Sequence, residues 1–352
     1  MLFWVRYSLQ KLRKRREVGM GLVASFLLLA LVGNAACFYV FDGQLKPDIT
    51  VWDALWYSIV SITTIGYGDL YATSLGARLG CLVFIIGIGL TTFTAVLGLL
   101  VDQMMQLNYK ETHGLSTMHC RNHVLIINYP DTTRIEQIIE ELQLDAEYSR
   151  CDVVVVTDSI ETLPFDKPNV YFIKGSPLQA DTLQRAGVER ARMALVLADT
   201  SNSASDGLVA ATINLVEHLN PEVKTVAECL DYRHDILFRS SRCDSIIYIN
   251  RILNSMLVQE VQDPGVAAVL STLTGNSSKD GFYSCPALTA PTVSYQELAK
   301  SLLDSGQQLV AVVRDGIQHL DYRELSSLQN DTVVYLGQER LTWDRLVNPM
   351  KA

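Results

Sequence analysis

Between Val18 and Phe41 the chain has no charged residue (VGMGLVASFLLLALVGNAACFYVF). At 1.5 Å per residue a helix of that length crosses a hydrocarbon core of about 30 Å. No other feature constrains the fold as tightly, and it predicts a transmembrane helix. Arg6, Lys11, Arg13, Lys14, Arg15 and Arg16 precede the run, and a basic flank of this kind is held on the cytoplasmic side. Residues 1–17 are therefore expected to be a basic cytoplasmic N-terminus. Ala35-Ala36-Cys37 hints at a lipoprotein processing site. Against it, the run is longer than the core of a cleaved signal, and Asn34 stands where a large apolar side chain is wanted.

A second uncharged run, Leu79 to Val101, is bounded by Arg78 and Asp102, and an inner helix is expected over 78–107. Two crossings return the chain to its starting side, so both termini are expected in the cytoplasm of a multi-pass inner-membrane protein. Residues 50–69 lie between the crossings and are too short and mixed to span. Thr50 suits an N-cap for a short helix carrying Trp52, Leu55, Trp56 and Ile59 on its apolar side. Non-helical backbone at membrane depth is tolerated only where it is buried in protein or lines a water-filled cavity. The segment therefore reads as a re-entrant helix and loop.

The average composition, 49% hydrophobic with a net charge of -9, hides two different halves. Everything after about Leu107 reads as an acidic soluble protein, which argues against a nucleic-acid partner. The seven cysteines are scattered without a C-x-x-C pair, so neither a disulfide framework nor a zinc site is suggested; core-filling thiols in a reducing compartment are expected.

Thr64-Ile65-Gly66-Tyr67-Gly68 resembles the potassium-channel filter, with Ile65 in place of the usual Val. A dehydrated K+ ion needs oxygen on all sides, so successive carbonyls must face the pore axis, and glycines at alternate positions permit the left-handed angles this requires. The expected ligands are the carbonyls of Thr64, Ile65, Gly66 and Tyr67, with the Thr64 hydroxyl at the inner mouth. Ile65 and Tyr67 side chains would then pack outward against Trp52 and Trp56. One chain supplies one wall, so a homotetramer is implied. No Arg-rich crossing exists to sense voltage, and the chain is similar to the two-transmembrane class. Gly87, Gly89 and Gly98 suit close packing of the inner helix. Resemblance to ligand-gated potassium channels makes Gly87 the first candidate hinge and Gly89 the next.

After a polar linker (108–118), strands are expected at His123–Asn128, Asp152–Thr157, Val170–Ile173, Met193–Leu197, Val223–Ala227 and Ser245–Ile249. Helices are expected at Asp131–Leu144, Leu178–Ala186, Ser203–His218 and Tyr232–Arg239. Such alternation predicts a parallel, doubly wound sheet. His123-Val124-Leu125-Ile126-Ile127, Asp158, and Tyr171-Phe172-Ile173-Lys174-Gly175-Ser176-Pro177 with Leu183, Ala186 and Ala191 resemble the regulator of potassium conductance (RCK) domain of prokaryotic gated channels. The whole is thus read as an all-α membrane pore (18–107), an α/β Rossmann-like RCK lobe (119–249), a helix-turn-helix crossover (250–275) and a small α/β C-terminal lobe (276–352). The resemblance implies that the crossover joins neighbouring domains into a gating ring of eight. A tetramer supplies four copies, so internal initiation at Met118, if it is not an ordinary linker residue, or pairing between lobes would complete the ring.

Two departures from the RCK pattern bear on the ligand. The glycine-rich turn is replaced by Asn128-Tyr129-Pro130-Asp131; Asn can adopt the left-handed conformation of a first glycine, but Tyr129 and Pro130 narrow the space for a phosphate. Of the three carboxylates that calcium-gated relatives use, only Glu228 remains, the others reading Ser176 and Leu230, so calcium is not expected at that site although other acids could build one. The crevice keeps more of a nucleotide site: Asp158 for ribose hydroxyls, Asp131 and Arg134 at a helix start facing a phosphate, and Gly175, Ser176, Asp199 and Thr200 along the same edge. NAD or an adenine nucleotide is the expected regulatory ligand. The competing reading, a membrane-tethered NAD-dependent oxidoreductase, finds no catalytic constellation among the dispersed histidines.

Overall fold

The computed structural model describes residues 2–288 and 292–347, with side chains from Gly21 onward; the side chains of the basic N-terminal cluster lie outside the described residues. The chain forms two compact units, Met1–Tyr109 and Lys110–Ala352.

The first unit is helical. Helix α1 (Leu2–Asp42) is followed by α2 (Val51–Ile62) and by an inner helix built from α3 (Leu75–Gly80), a π-helical segment (Cys81–Gly89) and α4 (Leu90–Thr112). Gly21–Asp42 and Leu75–Thr112 are each long and apolar enough to cross a membrane, and only 22% and 11% of their most apolar windows are buried within the chain. A core helix of a soluble protein would be covered, so this apolar surface calls for lipid or further copies. Thr50 caps α2 through a capping box with Asp53, as its residue type predicts.

The face of α2 that the chain itself covers is not the expected one. Ala54, Ser58, Val60 and Ile62 are buried, whereas Trp52 is 79% exposed. The reason is polar. Asn34 of α1 donates from Nδ2 to Ser58 Oγ at 2.8 Å, and Ser58 donates to the Ala54 carbonyl, which turns the serine face toward α1. At the end of α1, buried Asp42 accepts from Thr73 N, Thr73 Oγ1 and Ser74 N at 2.7–2.9 Å, fixing the start of the inner helix.

The second unit has two lobes. Strands β1 (Val124–Ile127), β2 (Val153–Thr157), β3 (Val170–Lys174), β4 (Met193–Val196), β5 (Lys224–Cys229) and β6 (Ser245–Tyr248) form a parallel sheet in the order β3-β2-β1-β4-β5-β6. Helices α5 (Thr132–Leu144), α6 (Ala180–Arg185), α7 (Ser205–Leu219) and α8 (Asp235–Ser240) accompany it. Alternation of side chains along a strand divides β1 between two cores. Leu125 and Ile127 join Leu183 of α6 and Val209 of α7, while Ile126 packs with Ile135 and Ile139 of α5. Burial on both faces explains the unbroken Val/Ile runs.

Helices α9 (Ile249–Gln262) and α10 (Val266–Thr274) lead to a smaller lobe with the antiparallel order β7-β10-β8-β9, formed by Gly281–Pro286, Thr332–Gly337, Gln308–Arg314 and Ile317–His319, with α11 (Tyr295–Asp304) and α12 (Trp343–Val347).

The segment expected as a plain polar linker is pinned to the edge of the large sheet. Gly114 has φ +61°, and its carbonyl accepts from Lys174 N at 2.9 Å and from Arg185 Nη1 at 3.1 Å. Met118 N donates to the Arg185 carbonyl at 2.7 Å, and Arg190 Nη2 donates to the Met118 carbonyl at 3.0 Å. A Cβ at Gly114 would stand 2.3 Å from Lys174 N, so only glycine permits this approach.

Candidate functional site

The loop after α2 has positive φ at alternate residues: Thr64 at 60°, Gly66 at 61° and Gly68 at 78°. Such alternation turns successive peptide planes so that their carbonyls share one side. Glycine was expected to carry this geometry, yet Thr64 adopts it as well, against the cost of a Cβ. The end of the helix holds it there. Thr64 N donates to the Ser61 carbonyl, and Ile65 N and Gly66 N both donate to the Val60 carbonyl at 3.1 and 3.4 Å. A Cβ on Gly66 or Gly68 would meet nothing within 4 Å, so the demand for glycine there comes from the backbone angle alone.

Trp56 stacks on Tyr67 with ring centroids 5.9 Å apart and planes 8° apart, and its Nε1–H donates to Asp69 Oδ2 at 2.9 Å. The expected packing of Tyr67 on Trp56 is present, whereas Trp52 lies open. Gly87 and Gly89 both fall in the π-helical segment and Gly98 in α4. They differ in surroundings: a Cβ on Gly89 would collide with Ile62, one on Gly87 would make an ordinary contact, and one on Gly98 would meet nothing.

In the second unit, Asn128, Asp158, Gly175 and Asp199 all follow the carboxyl ends of their strands, along one edge of the sheet. Ligands of doubly wound sheets bind where the strand order reverses, here between β1 and β4. Asn128 has φ +75°, as expected for a stand-in for glycine, and this ends β1 one residue early. Its Nδ2 donates to the Leu197 carbonyl at 2.7 Å. Asp131 caps α5 by accepting from Arg134 N at 2.9 Å, so one helix-start amide is already taken. At the end of β2, Thr157 Oγ1 bonds Ser159 and leaves Asp158 exposed.

Three of these residues are engaged within the chain. Arg134, read as facing a phosphate, is ion-paired with Glu228. Glu228, the one acid retained from a calcium site, is buried and its second oxygen accepts from Ala198 N at 2.8 Å, so both its oxygens are engaged. Gly175 serves packing, since a Cβ there would stand 2.5 Å from Thr182 Oγ1 of α6; neighbouring Ser176 accepts from Leu178 N. Asp199 accepts from Ser201 N and Oγ, which hold its carboxyl below the usual range, and Thr200 follows it exposed on the same turn. Among the described residues no three His, Cys, Asp or Glu gather as a metal site. The Arg134–Glu228 pair could not be seen in sequence, because 94 positions separate residues that only the order of β1, β4 and β5 brings together.

Comparison with known proteins agrees with both units. Residues 26–106 match the ion-channel family, and residues 119–225 match the calcium-activated potassium channel slowpoke-like RCK domain. The chain is 22% identical over 325 residues to the calcium-gated potassium channel TvoK of Thermoplasma volcanium, covering 90% of each chain. It is 26% identical over 235 residues to the putative potassium channel protein YugO of Bacillus subtilis, covering 64% of this chain and 70% of the relative. Among solved structures, the GsuK channel bound to NAD aligns with a TM-score of 0.47 at 18% identity, over 92% of this chain and 58% of that one. The channel reading is favoured over the oxidoreductase. With an ion-channel domain and an RCK domain in succession, and a potassium channel matched along 90% of its length, this membrane protein is homologous to the potassium channels that join a helical pore to an RCK domain.

Proposed function

We propose that four copies of this chain surround a K+ path lined by the carbonyls of Thr64, Ile65, Gly66 and Tyr67 and the Thr64 hydroxyl, with Gly68 completing the turn. The pore is placed in the inner membrane with both termini cytoplasmic, and the RCK domains form a gating ring. The alternate left-handed angles at Thr64, Gly66 and Gly68 carry this reading, because they supply a row of oxygens to replace the ion's hydration shell. Gly66→Ala tests it: the variant has room for its Cβ and should still assemble, yet lose potassium current in planar bilayers. Undiminished current refutes the assignment.

The regulatory ligand of this reading is NAD or an adenine nucleotide at the β1–β4 crevice. Asp158 would accept from ribose hydroxyls, and a phosphate would compete with Glu228 for the Arg134 guanidinium. The residues fit in part, since the ribose acceptor is open while the phosphate partner is closed by an internal ion pair. Affinity is therefore modest, and gating follows only from unequal affinity for open and closed rings. Calcium, for which the Thermoplasma relative is named, needs six to eight oxygens at about 2.3–2.6 Å, and Glu228 is committed elsewhere. Calorimetry on the full channel with NAD, ADP and ATP decides it: heat that disappears in Asp158→Ala supports the crevice, and heat unchanged by that substitution removes it.

A further inference from the structure

A cleft of about 1080 Å³ opens between the pinned linker and the edge of the large sheet. Its walls are Glu111 and Thr112 at the end of α4, Ser116–Cys120 of the linker, residues 162–166, and Val170–Phe172 of edge strand β3. Leu163, Phe165, Val170 and Phe172 give it an apolar floor. Its ionisable lining is Glu111, Asp166 and His119, with Cys120 and Tyr171, and no Lys or Arg among the described residues lines it.

Just outside the lining, Asp152 adds a negative charge beside Cys120, and Arg190, engaged with the Met118 carbonyl, is a positive one. Burial, then the adjoining Asp152 carboxylate, push the Cys120 thiol up to about 11. Burial raises the Tyr171 phenol as well, with Asp152, Cys120 and Glu111 adding to it. The Lys167 ammonium lies 5.8 Å from the Phe165 ring centroid and is bonded to Glu140 at 2.8 Å.

We propose that this cleft is a binding site for a small hydrophobic organic cation, its ammonium drawn to Glu111 and Asp166 and its apolar body resting on Leu163, Phe165 and Phe172. Aromatic rings favour a desolvated cation at their faces, and a mostly apolar concavity with a few convergent polar groups is the usual form of a small-molecule site. The position matters because the linker is tied to β3 through the Gly114 carbonyl. A guest seated between linker and β3 would favour whichever linker arrangement it fits better. None of this depends on the nucleotide crevice, and failure here leaves that reading untouched.

Cys120 provides a local readout. The full-length channel in detergent is alkylated with iodoacetamide at mildly alkaline pH, with tryptamine as the probe, and each cysteine is followed by peptide mass spectrometry. At about four times its Kd, tryptamine should slow Cys120 about fivefold, the ratio set by simple occupancy, and leave Cys151 unchanged. It should also slow hydrogen exchange across residues 114–120. Indole-3-propionate, with the same ring and the opposite charge, should do neither. Each variant is compared with itself, with and without amine, and Glu111→Gln combined with Asp166→Asn should abolish the protection; Asp166→Asn alone, in an exposed loop, should weaken it. Absence of protection by tryptamine, equal protection by the propionate, or protection that survives both substitutions would overturn the proposal.

Discussion

Gly89 of the inner helix and Ile62, the last residue of α2, stand so close that a Cβ on Gly89 would lie 2.5 Å from Ile62 Cδ1 and 2.8 Å from the Phe84 carbonyl oxygen. Gly89→Ala should therefore destabilise the pore assembly by about 1–3 kcal/mol, the usual cost of overpacking. Ile62→Ala in the same chain should return part of it. Thermal dissociation of the detergent-extracted assembly, read on gels, measures both. Gly87→Ala meets only an ordinary 3.5 Å contact with the Leu82 carbonyl oxygen, so it should assemble normally. A change of open probability in that variant would report the helix backbone and not its packing.

The second prediction concerns Arg134 and Glu228. Glu228→Gln removes the carboxylate that holds Arg134 while keeping an acceptor for Ala198 N. Breaking a buried pair costs about 3–5 kcal/mol, and the partial exposure of Arg134 reduces this to about 1–3 kcal/mol. Nucleotide affinity should move the opposite way, because the guanidinium no longer has to leave a partner. Scanning calorimetry reads the first effect and isothermal titration with ADP the second. Tighter binding in a less stable protein is the expected combination.

A third prediction follows from His123. Its ring is fully buried, with Nε2 3.0 Å from the Ala186 carbonyl oxygen and Nδ1 without a partner. Burial holds its pKa below the usual 6.5. The unfolded chain therefore binds this proton at a higher pH than the folded one, so its effect on stability is absent above about pH 6.5 and grows as pH falls below that value. Amide-exchange protection of residues 123–127, corrected for intrinsic rates, should decline on acidification through that range. His123→Gln, which keeps a donor for Ala186 and cannot charge, should flatten the dependence.

The fourth prediction uses the Cys120 thiol. With its pKa up at about 11, the thiolate fraction near neutrality is small and rises about tenfold per pH unit. Alkylation of Cys120 should follow that slope past pH 9, about where an ordinary thiol levels off. Asp152→Asn removes a like charge and should speed the reaction at any pH below the plateau.

Much of the architecture was legible in the sequence because it rests on short-range signals. The apolar runs, the Thr50 cap and the six Val/Ile strands appear close to where periodicity places them. Strands β7 and β9 were missed, although for β9 the Asp315-Gly316 dipeptide, with φ of 50° and 77°, is the hairpin signal that could have revealed it. The left-handed angles at Gly66 and Gly68 were legible for the same local reason. The face α2 turns to α1 was not, because it depends on Asn34 finding Ser58 across 24 positions. The RCK crevice was read as a set of open groups. It is partly closed by Arg134 with Glu228 and by Asp131 with the α5 amide, and only topology brings the first two together.

The π-helical stretch from Cys81 to Gly89 has a rotary consequence. Wider turns of this kind accommodate surplus residues relative to an α-helix, and one residue of α-helix corresponds to about 100° of rotation. If a single residue were absorbed into ordinary α-helical register there, everything from Leu90 to Thr112 would turn about its own axis like a screw. The inner helix could in this way exchange the side chains that share one face, such as Leu97 and Leu100 for their successors Gly98 and Val101, while its axis stays straight.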